Sequence, residues 1–137
     1  MNPYYNQNYT KDEIAVILKE IKTCIEEDRF TIELNENRVE NKAFVNDYNL
    51  SSSKQKEILL EIEVEDFCHS LKNTKPGYTH EILYVFCPQV ELIDIFAEDK
   101  VVDIYTKFNL IEYNVAKRVI TVSFHERNKP LSYCFYR

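Results

Sequence analysis

The chain has 137 residues, the length of one ordinary domain, and 45% of them are hydrophobic. Its formal net charge of −6 does not favour a polyanionic partner, and its single glycine, Gly77, excludes the glycine-rich loops that cradle nucleotide phosphates. No apolar run approaches the roughly 20 residues of a membrane span. We therefore expect one soluble, cytoplasmic domain over residues 11–137, preceded by a short flexible lead-in at residues 1–10.

The first half of the chain has the spacing of helices. Apolar residues recur at steps of three and four from Ile14 to Ile25, behind a cap at Thr10 or Asp12. Serines at positions 51–53 predict the cap of a later helix. The predicted elements are a first helix ending at residues 26–28, a strand at 29–34, helices at 35–50 and 54–62, a short turn at 66–69 and a loop at 72–79.

Strand patterns fill the second half. Residues 81–87 form a near-continuous apolar run that predicts a central strand, whereas residues 90–96 fit either a strand or a short helix. Residues 101–111 and 118–126 are long and β-rich, so we expect them to form a hairpin. Residues 131–136 are predicted to close the sheet. The pattern as a whole predicts an α+β fold, with helices first and an antiparallel sheet second.

The charges and the thiols limit the partners and the cofactors. Residues 1–67 carry 8 Lys/Arg against 15 Asp/Glu, whereas the stretch from residue 116 onward carries 5 bases and 1 acid. This asymmetry fits either a nucleic acid on the last strands or a basic protein on the helical half. We expect no metal and no cofactor, because the four cysteines lack metal-ligand spacing and instead resemble core residues. They are Cys24, Cys68, Cys87 and Cys134.

Strand alternation gathers polar side chains on one face of the predicted hairpin. They are Asp103, Tyr105, Lys107 and Asn109 on the first strand and Thr121, Ser123, His125 and Arg127 on and beyond the second. The apolar side of the second strand consists of Ile120, Val122 and Phe124. A tight turn near residues 113–114 places Tyr105 opposite Ser123. The same register places Asp103 opposite His125, and a slip of two residues stays open.

These residue types suit RNA cleavage without a metal ion. The reaction needs a base for the ribose 2′-hydroxyl, a cation for the charged phosphorane and an acid for the leaving 5′-oxygen. His125 can serve as acid or base, and Asp103 can orient it. Lys107 and Arg127 can hold the phosphate. A merely solvated face of a sheet explains the same alternation equally simply.

The other histidines and several aromatic residues have two interpretations each. His69 and His80 fit either capped or partly buried positions or further acid–base groups. Tyr78, Tyr84 and Phe86 fit either core packing or stacking on unpaired RNA bases.

Four segments carry a resemblance to a known family. They are residues 66–70 (DFCHS), 77–86 (GYTHEILYVF), 102–108 (VDIYTKF) and 119–125 (VITVSFH). In pattern and order they resemble MqsR-family toxins, which are endoribonucleases of bacterial type II toxin–antitoxin systems with a RelE/YoeB-like α+β fold. The resemblance implies N-terminal helices packed on a curved antiparallel sheet. It also implies metal-independent mRNA cleavage, growth inhibition and a cognate antitoxin.

The family's site residues transfer position by position. Its lysine after Asp-Phe falls on His69, its active-site tyrosine on Tyr105 and the next lysine on Lys107. Its lysine after the final Ser-Phe falls on His125, and its polar residue ahead of the central strand falls within one residue of His80. Histidine in place of lysine can still transfer a proton, but it lacks the permanent positive charge of lysine and therefore attracts phosphate less strongly. The predicted site is therefore catalytic His69, His80, His125 and Tyr105, with substrate-binding Lys107, Arg127, Asp103 and Ser123.

Two functions stay open from the sequence. The first is a toxin in the bacterial cytoplasm that binds mRNA, on or off the ribosome, and is bound by a cognate antitoxin protein. This toxin has no membrane partner, and it contacts DNA only through the antitoxin. The second is a non-catalytic interaction domain of the same fold that binds a basic partner through its acidic helical half.

Overall fold

The computed structural model describes residues 4–34, 38–113 and 116–135, and within them the chain is α+β, as its sequence predicts. Three α-helices and an open six-stranded sheet make up the part of the fold that the structure describes. In chain order the elements are α1 (Lys11–Glu26), β1 (Phe30–Ile32), α2 (Val39–Asp47), α3 (Ser52–Leu60), β2 (Phe67–Lys72), β3 (Ile82–Phe86), β4 (Gln89–Ile93), β5 (Asp99–Tyr113) and β6 (Ala116–Glu126). None of the described helices is both long enough and apolar enough to cross a membrane.

Local sequence signals set the helix boundaries. Thr10 caps α1 through a capping box, in which its hydroxyl accepts from the Glu13 amide and the Glu13 carboxylate accepts from the Thr10 amide. Ser51 caps α3 by accepting from the Lys54 amide. After α1, Asp28 has a φ of 59°, so the chain reverses there into β1.

The sheet is mixed, which corrects the expectation of a purely antiparallel one. The strand order is β1-β6-β5-β3-β2, and β4 pairs with the first part of β5. β1 runs parallel to β6, with Phe30 opposite Val119, and the other pairs are antiparallel. Alternation within a three-residue strand shows which side chains are buried but not the direction of its partner, so the sequence pattern could not give this pairing.

Two other segments differ from the predictions. Residues 67–69, read from the sequence as part of a turn, begin β2, and its first four residues are buried. Residues 131–135 form no strand, and Tyr136 lies outside the described residues. The segment is instead fixed to the sheet by the Tyr133 hydroxyl, which donates to the Cys87 carbonyl, and by the Cys134 amide, which donates to the Phe67 carbonyl. The ambiguous residues 90–96 contribute strand β4.

A β-bulge in β6 changes the predicted faces of the hairpin. Tyr105 lies opposite His125 and Lys107 opposite Ser123, a slip of two residues from the predicted register. Between Ser123 and Thr121 the register shifts, because Val122 has no partner opposite it. Because side chains alternate between the two faces of a strand, this one-residue shift places the β6 residues that precede the bulge on the opposite face from the one predicted.

The bulge therefore corrects the predicted apolar side of the second strand. Val119 and Thr121 are buried in the interior, whereas Ile120 and Val122 lie on the polar face. The interior beneath the helices contains four fully buried phenylalanines from four strands, namely Phe67, Phe86, Phe108 and Phe124.

Asn41 of α2 supplies the hydrogen bonds that the bulge leaves open. Its side-chain amide donates to the carbonyls of Val122 (3.0 Å) and Glu33 (2.8 Å), and its carbonyl accepts from the Phe124 amide at 2.9 Å. Asn41 is 1% exposed, so water cannot replace it. One side chain thus joins the start of α2 to β6 and to the end of the β1 segment.

We expect Asn41→Ala to lower the free energy of unfolding by about 3 kcal/mol, because it leaves buried backbone groups without partners. The measurement is urea denaturation followed by circular dichroism. Asn46→Ala is the matched control on the same helix, since Asn46 is exposed, and we expect it to change stability by less than about 1 kcal/mol. Equal effects of the two substitutions would contradict the role of Asn41.

Candidate functional site

Four of the eight predicted site residues line one cavity of about 310 Å³ on the polar face of the sheet. Tyr105 and Lys107 come from β5, and Ser123 and His125 come from β6. They face the same way because the two antiparallel strands pair Tyr105 with His125 and Lys107 with Ser123. The remaining walls are Arg38, Val39, Glu40 and Asn41 at the start of α2, with Asn128 and Lys129 after β6.

Tyr105 forms the aromatic floor of this cavity. Its ring stacks on His125 with centroids 5.3 Å apart and planes 22° apart. The Nζ atoms of Lys107 and Lys129 lie 5.9 Å and 5.6 Å from the same ring centre, within the range of cation–π attraction. Burial raises the pKa of Tyr105 to about 12, so its hydroxyl stays protonated far above neutral pH and can donate a hydrogen bond.

The cations of the cavity act on one another. Burial lowers the pKa of Lys107, and the positive charges of Arg38 and Lys129 lower it further. Arg38 is already paired with Glu33 at 3.0 Å, so an entering anion would chiefly relieve the repulsion between Lys107 and Lys129. The site therefore favours a negatively charged group despite the acidic charge of the whole chain.

His125 is held in one orientation by its neighbours. Its Nδ1 lies 2.8 Å from the Glu126 carbonyl, which can only accept, so Nδ1 carries the hydrogen and the neutral ring keeps Nε2 as an acceptor. Glu40 Oε2 lies 3.8 Å from the same Nδ1, and the Asn128 side-chain amide donates to that carboxylate. Glu40, rather than the predicted Asp103, is therefore the carboxylate beside this imidazole.

His69 lies beneath the N-terminal segment and does not line the cavity. Tyr5 stacks flat on its ring, with centroids 3.6 Å apart and planes 9° apart, and His69 is 2% exposed. Burial lowers the pKa of His69 to about 4, and the charges of Lys129 and Lys107 act in the same direction. His69 is therefore uncharged at neutral pH, and its Nε2 has no partner among the described residues.

The residues predicted as a flexible lead-in hold Tyr5 in that position, although residues 1–3 lie outside the described part. Asn6 exchanges backbone hydrogen bonds with Ser70 on β2, and the Gln7 side chain donates to the Cys68 carbonyl. The Tyr9 hydroxyl lies 2.8 Å from the Ser70 hydroxyl.

Three other predicted site residues lie outside the cavity. Asp103 and Arg127 form an ion pair at 3.1 Å, and Asp103 also accepts from the Gln89 side chain. Neither Asp103 nor Arg127 lines the cavity, so Arg127 is not placed to hold a phosphate there. His80 is exposed ahead of β3, beside a different cavity that Tyr84 also lines. The three histidines therefore do not meet at one point.

Sequence reasoning missed Arg38, Glu40 and Asn128 as cavity residues. Lys129 belongs to the basic final stretch, so the charge pattern indicated its region but not its role. No pattern in the sequence identifies Arg38, Glu40 or Asn128 as cavity residues. The start of α2, which carries Arg38 and Glu40, is brought to β6 by the Asn41 contacts, over a separation of 81 residues.

A second cavity of about 690 Å³ adjoins the first and shares Arg38 and Lys107 with it. We call the two together the polar trough. The Glu81 carboxylate accepts from the side-chain amides of Asn73 and Asn109, both at 3.0 Å, along the wall of the second cavity. The trough also contains the exposed ring of Tyr78 and the side chains of Lys72, Lys75, Leu83, Ile120 and Val122.

No metal centre is evident in the part of the chain that the structure describes, because no group of three or more His, Cys, Asp or Glu side chains there could hold an ion. Comparison of the chain with protein-family models, with curated proteins and with solved structures found no match. The geometry of the trough is therefore the observation from which a function is argued.

The buried state of His69 predicts a pH dependence of stability. Its pKa is about 4 in the folded chain against an ordinary value of 6.5, so between these pH values the unfolded chain binds more protons. The free energy of unfolding should therefore fall as the pH decreases from 6.5 to 4, by up to about 3 kcal/mol from this residue.

The measurement compares urea denaturation of the wild type and of His69→Phe across that pH range. Phenylalanine keeps a ring beneath Tyr5 but cannot take a proton, so we expect the variant to lose less stability on acidification. His80→Phe is the control, because His80 is exposed, and its pH profile should match the wild type. The same slope in all three proteins would refute the buried neutral imidazole.

Proposed function

We propose that the chain is a metal-independent endoribonuclease toxin of the MqsR type with a RelE-like fold. It cleaves mRNA in the bacterial cytoplasm and is neutralised by a cognate antitoxin. The observation that carries the proposal is the convergence of Tyr105, Lys107, Ser123 and His125 on one open cavity. These are four of the positions singled out for RNA chemistry from residue type, alternation and family resemblance.

The groups in the cavity match the steps of phosphodiester cleavage. His125 Nε2 takes the proton of a ribose 2′-hydroxyl, whose oxygen attacks the adjacent phosphorus. The bond from phosphorus to the 5′-oxygen then breaks, leaving a 2′,3′-cyclic phosphate and a 5′-hydroxyl. Lys107, whose lowered pKa makes it a better proton donor than an ordinary lysine, stabilises the phosphorane and protonates the leaving oxygen.

The phosphate has several positive partners in the same place. Lys129 and Arg38, which also pairs with Glu33 at 3.0 Å, line the cavity opposite the strands, and the first residues of α2 present the positive end of that helix. The protonated Tyr105 hydroxyl can donate to a phosphate oxygen. This local concentration of donors offsets the unfavourable charge of the whole chain, which is −6.

The second cavity provides room for the nucleotides beside the cleaved bond. Tyr78 exposes its ring there and can stack on an unpaired base, one of the two uses its sequence position suggests. Lys75 lies 4.9 Å from the centre of the Tyr78 ring. The other aromatic candidates do not compete for this use, because Phe86 is fully buried and Tyr84 packs against the core.

The non-catalytic alternative has one observation in its favour. His69 stands where the family has lysine, yet it is buried and uncharged at neutral pH. A non-catalytic domain that binds a basic partner through its acidic helical half would tolerate that loss. Direct measurement of cleavage separates the two functions.

Purified protein should cleave single-stranded RNA in the presence of EDTA, and His125→Ala should lower the rate by about 10²–10⁴-fold because it removes the proton acceptor. The products are identified by gel electrophoresis and by their 2′,3′-cyclic phosphate ends. His80→Ala is the matched control and should cleave at the wild-type rate, because His80 lies outside the trough. Absence of cleavage by the folded wild type, or full activity of His125→Ala, would reject the proposed chemistry.

Lys129→Gln should weaken RNA binding and reduce the salt dependence of the binding constant by roughly one phosphate contact. The probe is an oligonucleotide with 2′-deoxyribose throughout, which cannot be cleaved by this route, titrated at several salt concentrations by fluorescence anisotropy. Lys19→Gln is the control, because Lys19 is exposed on α1 away from the trough. Identical salt slopes for both variants would contradict a phosphate contact at Lys129.

A further inference from the structure

The hairpin formed by β4 and the first part of β5 exposes a cluster of apolar side chains. Four of them are between 58% and 76% exposed, namely Ile93, Ile95, Phe96 and Val101. Scattered exposed apolar residues are ordinary on a protein surface, whereas a contiguous group marks an interaction site. All four lie within nine consecutive residues. We call this surface the hairpin patch; it runs from the end of β4 through the turn to Val101 of β5, ahead of Tyr105 and the trough.

The hairpin patch is built on a well-fixed turn. The Asp94 carboxylate accepts from the backbone amides of Phe96 (2.9 Å) and Glu98 (3.0 Å) and pairs with Lys100 at 3.1 Å. The Ile95 amide donates to the Asp47 carbonyl at the end of α2, so the turn is also tied to the helical layer. The exposed apolar side chains are therefore presented in a fixed arrangement before any partner arrives, which lowers the entropy cost of binding.

The outer edge of β4 offers backbone hydrogen bonds as well. Within the described residues β4 pairs only with β5, so its other edge has no partner strand. On the exposed face of the hairpin, Glu91 lies opposite Val101 and Ile93 lies opposite Asp99. Along β4 itself an acidic and an apolar side chain thus alternate at a spacing of two residues.

We propose that the hairpin patch is a docking site for an extended segment of another protein, which adds to the edge of β4 as a further strand. A basic side chain of that segment lies opposite Glu91, and an apolar side chain two residues away lies opposite Ile93. The rim selects a basic partner, because Glu91, Glu98 and Asp99 are all exposed acids. The inference does not depend on the proposed ribonuclease activity, because the patch shares no residue with the trough.

A second copy of the chain fits this surface less well. Each copy carries a net charge of −6 and would bring the same acidic rim against itself. Like charges directly opposite one another destabilise a strand pair. The surface therefore fits a different chain of opposite charge.

The test uses a capped peptide of about eight residues that repeats the sequence Thr-Lys-Thr-Val. Its binding to the full chain is measured by fluorescence anisotropy and by amide chemical shifts. We expect saturable binding, with shifts at β4 and the hairpin turn. A peptide with glutamate in place of lysine should bind at least roughly tenfold more weakly, because it meets Glu91 with a like charge.

Charge reversal gives the decisive comparison. Glu91→Lys should bind the lysine peptide at least roughly tenfold more weakly and should bind the glutamate peptide better than the wild type does. Glu61→Lys makes the same change in net charge at the exposed end of α3 and should leave both affinities unchanged. If both substitutions weakened binding of the lysine peptide equally, the effect would come from the net charge of the chain and not from Glu91, and the proposal would be overturned.

Two further outcomes bear on the kind of partner. N-methylation of every second peptide residue should abolish binding in one of the two alternating patterns and spare the other, because only one edge of an added strand bonds to β4. Equal tolerance of both patterns would overturn strand addition. A homodimer in sedimentation velocity that Glu91→Lys dissociates would show that the patch binds a second copy, which also overturns the proposal.

Discussion

The contacts of Asn41 determine the arrangement of the polar face. A bulge leaves backbone groups of one strand without partners in the next, and such groups are tolerated inside a protein only when another donor or acceptor reaches them. Asn41 meets the carbonyl of Val122 and the amide of Phe124 with a single side chain. Because Asn41 belongs to the first turn of α2, the same bonds bring Arg38 and Glu40 against β6. The walls of the cavity on both sides thus depend on one buried amide.

Burial then distinguishes the titratable groups in and near the cavity. Tyr105 keeps its proton far above neutral pH, because burial raises its pKa to about 12. His69 gives up its proton, because it is enclosed beneath Tyr5 and close to two lysines. His125 alone combines an imidazole with a place in the cavity wall. Of three histidines that looked equivalent in the sequence, one is therefore left to exchange protons with a bound molecule.

The length of β5 separates the basic and acidic surfaces of the protein. Its first residues, 99–103, pair with β4 and contribute Val101 to the hairpin patch, whereas residues from 104 onward pair with β6 and β3 and form the floor of the trough. Acidic and apolar side chains dominate the first part, and Lys107 with its neighbouring cations dominates the second. The hairpin patch and the trough therefore use different residues of the same strand.

The sequence by itself determined the α+β class with helices first, the regions in which Thr10 and Ser51 cap their helices, and the sharing of one face by Tyr105, Lys107, Ser123 and His125, because periodicity and capping are properties of neighbouring residues. Only the tertiary structure decided the parallel pairing of β1, the bulge at Val122, the burial of His69 and the approach of Arg38 to the cavity. Each of these results from contacts between distant parts of the chain. No local pattern encodes which backbone group a remote side chain will satisfy or which ring will cover another.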